Sequence, residues 1–176
     1  MKTLIYQVYT GKRKNIYDFC TASVKEYAKR IGADYHVQRQ PILMIRPDPF
    51  DTNRSNESYM KYGGFLPIYE KENAFAYFRS YDKIALIDGD IYIRETAPNI
   101  FDQIDDNYEF AGVVEREMPL NDRYVAKITN YSRMQYGNIK NVDWKWNNKG
   151  AEFFNMGMML MNKSMGEYLN GETPAQ

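Results

Sequence analysis

The chain opens with a short apolar, β-branched stretch, a longer amphipathic one and a second short stretch. Residues 4–9 and 35–40 each end at a turn-forming residue, and each predicts a strand. Between them, residues 15–31 carry apolar side chains at steps of three and four, which predicts a helix. Asn15 is a suitable N-cap for it and Gly32 a suitable C-terminal stop. A strand, a helix and a second strand in this order favour a parallel sheet with a right-handed crossover.

The rest of the chain alternates apolar runs with polar connections. Residues 41–66 contain three prolines and a polar run, which predicts a long irregular connection. Residues 83–88 form an apolar run flanked by charge, which is typical of a buried central strand. Further helices are predicted over 68–78 and 122–134, strands over 110–115 and 153–161, and a short extended piece over 91–93. The pattern predicts an α/β fold in a single domain over residues 1–176.

Composition removes several classes of protein from consideration. The 23 basic and 23 acidic residues give a formal net charge of +0, so no nucleic-acid partner is expected. The single cysteine, Cys20, excludes an intrachain disulfide and is expected to pack in the core. No apolar run reaches the roughly 18 residues of a membrane span. No signal peptide is evident, so we expect a cytoplasmic protein. Self-association to a homo-oligomer stays open.

The strongest chemical signal is the acidic turn, Asp88-Gly89-Asp90, directly after the predicted central strand. Ligands bind at the carboxyl edge of parallel strands in open α/β folds. Two carboxylates separated by one glycine can both reach one cation, and we expect Gly89 to let the backbone turn sharply. Hard oxygen ligands suit Mn²⁺ or Mg²⁺, and such a metal is usually completed by water and substrate phosphates. The motif therefore predicts a metal site for a phosphorylated ligand.

Three other interpretations of the acidic turn are open. Asp-Gly is a common turn dipeptide, so the motif can simply connect two strands. Haloacid-dehalogenase-type phosphatases also place Asp-x-Asp after a strand, but usually after the first strand and with a Thr soon after. A calcium loop needs more oxygen ligands and a bidentate Glu, and Glu95 comes too early for that place. The buried strand before the motif makes us favour the metal–phosphate interpretation.

The region around the acidic turn resembles glycosyltransferase family 8, which includes glycogenin and bacterial lipopolysaccharide galactosyltransferases. Residues 81–96 and 99–102 match its aromatic-Asp-Lys start, buried strand, acidic pair and short helix ending in Phe-Asp. Residues 153–162 resemble its Phe-Asn-x-Gly strand. Residues 27–32, Tyr-Ala-Lys-Arg-Ile-Gly, resemble the helix end before strand two in family 34. The resemblance implies a GT-A-type, Rossmann-like, mostly parallel sheet flanked by helices.

The resemblance also implies a function and a set of site residues. It implies metal-dependent transfer of a hexose from a nucleotide diphosphate sugar to an acceptor, which can be a sugar, a lipid or a protein. We expect the donor to be a UDP-sugar. Asp88 and Asp90 would hold the metal and the donor's pyrophosphate and ribose, and Asn155 would contact the donor sugar. Residues 9–11, Tyr9, Thr10 and Gly11, would form part of the base and ribose pocket. Lys71, seventeen residues before Asp88, matches a cation that lies near the donor in the family.

Each of these residues also has a structural interpretation. Tyr9 can be a core aromatic at a strand end, Lys71 a solvent-facing residue on a helix, and Asn155 a buried amide that pairs with backbone. We read Trp144 and Trp146 as local packing rather than as an acceptor-sugar surface, and His36 in the second strand as structural.

The chain departs from the family pattern after its Phe-Asn-x-Gly strand. The acidic segment and late His that normally complete the metal shell are not recognisable after Asn162. We therefore expect one of three explanations: a C-terminally truncated chain, a site completed by a partner chain, or a non-catalytic domain that only binds the nucleotide sugar. Asp122, Asp143 and Glu152 are the acids we would test in place of the missing groups.

Overall fold

The first three elements form the predicted strand–helix–strand unit. A computed structural model describes residues 1–10, 14–46, 60, 63 and 65–169. Strand β1 spans Thr3–Val8, helix α1 spans Asn15–Ile31 and strand β2 spans Asp34–Gln38, with β1 and β2 parallel. Gly32 ends α1 in the left-handed conformation, with φ 72°, as its position predicts. The helix starts as predicted, but Asn15 is its first residue and Lys14, rather than Asn15, takes the N-cap position.

Three more strands complete a five-stranded sheet. Strand β3 spans Lys83–Asp88, β4 spans Phe110–Val114 and β5 spans Phe154–Asn162. The order is β2-β1-β3-β5-β4. Strand β3 is parallel to β1 and antiparallel to β5. The predicted α/β class is confirmed, with a parallel half around β1 and a change of direction at β5.

The helical segments agree with the pattern in position but not always in type. The helix predicted over 68–78 is a 3₁₀ helix over Pro67–Arg79. Helix α2 spans Asp122–Tyr136, and short 3₁₀ helices span Ile100–Asp102, Glu115–Glu117 and Lys163–Leu169. Among the described residues, no helix is long and apolar enough to cross a membrane.

The short extended piece predicted over 91–93 forms no strand. Its N–H groups have other acceptors, since Ile91 N donates to Asp88 O at 3.1 Å and Ile93 N donates to the Ser23 hydroxyl at 3.0 Å. The segment therefore follows the turn and contacts α1, and these N–H groups are not available to pair with a strand.

The core lies on both faces of the sheet, because successive side chains of a strand point to opposite sides. One face packs Leu4, Tyr6, Ile84 and Leu86 against Ala74 and Phe78 of the 3₁₀ helix Pro67–Arg79. The other face packs Ile5, Ala85 and Ile87 against Val24, Tyr27 and Ala28 of α1. Strand β3 is buried along its first five residues, as its apolar run predicts. Its last residue, Asp88, therefore emerges from a well-packed centre.

The chain divides into two compact units. The first comprises Met1–Ile45, Leu66–Gly112 and Met156–Gln176, and the second comprises Arg46–Phe65 and Val113–Asn155. The first unit holds β1, α1, β2, the 3₁₀ helix Pro67–Arg79 and β3, and the second holds α2. The extent of the single domain predicted from the sequence stays a prediction.

Candidate active site at the acidic turn

The acidic turn begins where β3 ends. Asp88 is the last residue of β3, and the hydrogen bond from Ile91 N to Asp88 O closes a tight turn over Gly89 and Asp90. The Asp88 side chain is 37% exposed and Asp90 is also exposed, so both carboxylates are open to a ligand.

Burial raises the pKa of the Cys20 thiol, and the negative charge of Asp90 adds to this shift. Cys20 itself packs in the core, as predicted.

Gly89 is buried because β1 and α1 approach it closely. A Cβ atom at this position would lie 3.1 Å from Val8 O and 3.3 Å from Cδ1 of Tyr17. The φ of Gly89 is not positive, so the sharp turn does not itself require glycine. The requirement is for space, and the sequence-based interpretation of Gly89 is corrected accordingly. Any side chain here would push the acidic turn away from β1.

Two side chains, linked by a hydrogen bond, hold the backbone of the acidic turn. Gln7 of β1 is fully buried, and its Nε2 donates to Asp88 O at 3.0 Å. The hydroxyl of Tyr35 donates to Gln7 Oε1 at 2.8 Å. Sequence reasoning missed Gln7, although one amide in the middle of an apolar strand is a signal, because a buried amide needs partners.

Lys71 lies against the acidic turn. Its Nζ is 2.5 Å from Asp88 Oδ1 and donates to Met156 O at 2.7 Å. Only 12% of the Lys71 side chain is exposed, so the interpretation as a solvent-facing residue is wrong. The structure thus brings together Lys71 and Asp88, which the family spacing linked. Its role toward a donor stays a prediction.

The neighbouring Glu70 has the largest set of hydrogen bonds near the site, and sequence reasoning missed it. It is 1% exposed, and its carboxylate accepts backbone N–H groups of the segment 42–44 at 2.7–3.2 Å. Side-chain amides of Gln38 and Asn73 donate to it at 2.7 and 2.9 Å. Burial alone would raise the pKa of Glu70, but these hydrogen bonds outweigh it and hold the pKa below its usual value. Glu70 therefore ties the 3₁₀ helix that carries Lys71 to the segment after β2.

Asn155 lies in the second unit with a charged partner. Its Nδ2 donates to Glu115 Oε1 at 3.1 Å, and Glu115 is buried. The interpretation that Asn155 pairs with backbone is thus too narrow, since a side-chain carboxylate is among its acceptors. The backbone N–H of Glu115 donates to Phe153 O at 2.6 Å, so both residues of the pair are held near the start of β5. A role of Asn155 toward the donor sugar stays a prediction.

Tyr9 is buried at the end of β1, and other side chains cover its ring. Tyr17 stacks on the ring at 5.0 Å between centroids, and the Arg39 guanidinium lies 4.1 Å from its centroid. The hydroxyl accepts from Lys14 N at 2.6 Å, which fixes the start of α1 without a side-chain cap. Thr10 is half-buried, and Gly11 lies outside the described residues. The base pocket predicted at residues 9–11 stays a prediction.

Most of the remaining candidate residues pair with or pack against other protein groups. Glu152 forms an ion pair with Arg116 at 2.6 Å, Asp143 accepts Lys145 N at 3.0 Å, and Asp122 is exposed at the start of α2. Trp144 and Trp146 both contact the Phe153 ring, in agreement with packing. His36 stacks on Tyr6 at 5.1 Å, in agreement with a structural role.

The acidic turn has the chemistry of a divalent-cation site with few protein ligands. Two carboxylates with hard oxygens flank one glycine, and both are accessible. No group of three His, Cys, Asp or Glu residues suitable for a metal occurs in the described part of the chain. The two carboxylates are the kind of oxygen ligand that Mn²⁺ or Mg²⁺ prefers, and such a metal usually takes its other ligands from water and substrate phosphates. A metal at Asp88 and Asp90 stays a prediction.

Comparison with known proteins points to one family. The sequence model of glycosyl transferase family 8 matches residues 3–166, a range that includes the acidic turn, Lys71 and Asn155. In structure, the chain is similar to a glycosyltransferase involved in the glycosylation of the major capsid of PBCV-1, with a TM-score of 0.46. The two are 14% identical, and the similarity covers 99% of this chain and 69% of that chain. No curated protein matches the sequence.

Proposed function

The chain belongs to glycosyl transferase family 8 and is a glycosyltransferase, and we propose that it transfers a hexose from a UDP-sugar through a divalent cation held at the acidic turn. The observation that carries this proposal is the contact of Lys71 with Asp88, one of the two accessible carboxylates of the acidic turn. A nucleotide diphosphate is negatively charged, and a cation on the turn together with the ammonium of Lys71 would attract it.

Asp88 and Asp90 are the protein ligands in this proposal. When bound, the metal stabilises the negative charge that develops on the departing diphosphate. Gln7 and Gly89 keep the turn close to β1, so that the carboxylates stay in one place while the ligand binds. Such preorganisation lowers the cost of assembling the site at the moment of reaction.

Lys71 supplies the second charge. Its ammonium can donate three hydrogen bonds, so it can contact phosphate oxygens while it keeps its bond to Met156 O. A lysine acts here as a compact charge, without the two-pronged geometry of an arginine. Only the resemblance to the family links Asn155 to the donor sugar, and within the second unit its amide donates to Glu115.

The test is release of UDP from UDP-glucose and UDP-galactose, measured with Mn²⁺ and with EDTA. We expect release from at least one donor with Mn²⁺ and none with EDTA, through transfer to water when no acceptor is present. Asp88→Asn should lower the rate at least about a hundredfold. The matched control is Asp102→Asn, which makes the same charge change at an exposed position in the 3₁₀ helix Ile100–Asp102 and should keep the rate.

Three results would contradict the proposal in different ways. Release that persists in EDTA rules out metal dependence. If Asp88→Asn releases UDP at the rate of the wild type, the active site lies elsewhere in the chain. UDP that binds with Mn²⁺ but is never released from a sugar favours the non-catalytic nucleotide-sugar-binding domain, in which the same turn holds the donor without transfer.

A further inference from the structure

Lys71 holds an oxygen that the proposed metal also needs. Its Nζ lies 2.5 Å from Oδ1 of Asp88, which is a full ion-pair contact. The ammonium has a second acceptor here, because Met156 O in β5 accepts a hydrogen bond at 2.7 Å, and the side chain is largely buried. Strand β5 pairs with β3 directly, with Met158 opposite Ile87. The two acceptors of Lys71 therefore belong to paired strands of one sheet.

The charges at the turn show how this contact would affect the binding of a cation. Asp88 and Asp90 contribute two negative charges and Lys71 one positive charge, which leaves a net charge of −1. A divalent cation that approaches Asp88 meets both an occupied carboxylate oxygen and the repulsion of the ammonium. A diphosphate reverses this balance, because its oxygens attract the ammonium and the cation alike.

We propose that Lys71 makes the binding of metal and of nucleotide diphosphate interdependent, an inference that rests on the proposed metal site. In the ligand-free protein Lys71 is the partner of Asp88, and the cation alone binds weakly. When a diphosphate enters, the ammonium shifts from Asp88 to phosphate oxygens, and Asp88 becomes available to the cation. Each ligand then tightens the binding of the other by the same factor, as linkage requires.

The alternative is that Lys71 only positions Asp88. A positioning residue helps the metal in every state, so its removal would weaken metal binding. A residue that competes with the metal has the opposite effect, because its removal frees the carboxylate and takes away a repelling charge. The two roles therefore predict opposite signs for one variant.

The experiment is a titration of the full chain with Mn²⁺, followed by isothermal calorimetry or by the electron paramagnetic resonance of free Mn²⁺, with and without UDP. For the wild type we expect weak binding of Mn²⁺ alone and at least about tenfold tighter binding with UDP. For Lys71→Met we expect Mn²⁺ alone to bind about tenfold more tightly than to the wild type, and UDP to tighten Mn²⁺ binding by a smaller factor than in the wild type, since only the direct attraction between phosphate and cation is left.

Two further variants control the result. Lys71→Arg keeps the charge and should keep the dependence of Mn²⁺ binding on UDP. Lys25→Met removes an exposed lysine of α1 and should behave as the wild type. Circular dichroism establishes that each variant is folded. If Lys71→Met does not fold, the wild-type titration still decides, because equal Mn²⁺ affinity with and without UDP would overturn the inference.

The outcomes separate this inference from the proposed function. A wild type that binds neither Mn²⁺ nor UDP in any combination contradicts the proposed function, and the inference falls with it. A wild type that binds both, with weaker Mn²⁺ binding in Lys71→Met, leaves the proposed function standing and overturns the competition between Lys71 and the metal.

Discussion

At the scale of single residues, Gly89 provides the room that brings two carboxylates next to β1. Its backbone is not strained, and what distinguishes the position is the distance to its neighbours. A Cβ there would approach the carbonyl oxygen of Val8 to 3.1 Å, and this oxygen belongs to β1, an interior strand with a neighbour on each side. The neighbour cannot give way without moving β1, so the turn would move instead.

We therefore predict that Gly89→Ala destabilises the protein by about 1–2 kcal/mol, the usual cost of overpacking. It should also weaken UDP binding in Mn²⁺, because the carboxylates shift with the turn. Urea unfolding and calorimetry measure the two effects. The matched control is Gly166→Ala, whose Cβ would meet only Phe78 atoms at 3.7 Å or more. Equal stability of the two variants would contradict the role of Gly89.

At the scale of elements, the 3₁₀ helix Pro67–Arg79 connects the acidic turn to the segment after β2. Glu70 and Lys71 are adjacent in sequence, and their side chains have different partners. Glu70 accepts the N–H groups of residues 42–44, where Met44 has a positive φ of 49°. Lys71 reaches Asp88. The carboxylate of Glu70 thus holds the helix in place, and the helix places Lys71 beside Asp88.

We predict that Glu70→Gln lowers the free energy of unfolding by about 3 kcal/mol near neutral pH, because an amide NH₂ would face donors that now meet a carboxylate oxygen. The pKa of Glu70 is held below its usual value of about 4.3. Its stabilisation is therefore complete above that usual value and is lost as the pH falls through the lowered pKa.

The difference between the wild type and Glu70→Gln should accordingly be constant near neutral pH and shrink in acid. Urea unfolding from about pH 7 to about pH 3 measures this dependence. Glu26→Gln, on the exposed face of α1, is the control and should show little difference at any pH. A stability difference that grows as the pH falls would contradict the account of Glu70.

The same elements show which features the sequence could predict. The helix Asn15–Ile31 and the strand Lys83–Asp88 were predicted with their bounds, because periodicity, Gly32 and flanking charge are local signals. Local signals do not separate a 3₁₀ helix from an α-helix at Pro67–Arg79, since residues three apart lie on one face in both. They also gave no sign that β5 runs antiparallel to β3.

The candidate site divides in the same way. The acidic pair and Lys71 could be found from residue type, spacing and the resemblance to a family. The space around Gly89 and the partners of Glu70 depend on residues far away in sequence. Val8 is 81 positions from Gly89, and residues 42–44 are 26 to 28 positions from Glu70. Such contacts form only when the sheet has formed, so no local sequence pattern predicts them.

At the scale of the whole molecule, a ligand that binds only the folded protein must raise its stability by mass action. The fold that carries the acidic turn has its core on both faces of the sheet, so unfolding of the core removes the site. Thermal unfolding of the entire chain therefore reports binding at the turn, whichever sugar the donor carries.

The most direct test is the midpoint of thermal unfolding with UDP, with Mn²⁺ and with both, for the wild type and for the double variant Asp88→Asn, Asp90→Asn. For the wild type we predict a rise of about 5–10 °C with both ligands at about 100 times the Kd for UDP. The double variant should show no rise. An unchanged midpoint of the wild type, or an equal rise in the double variant, would contradict a metal–diphosphate site at Asp88-Gly89-Asp90.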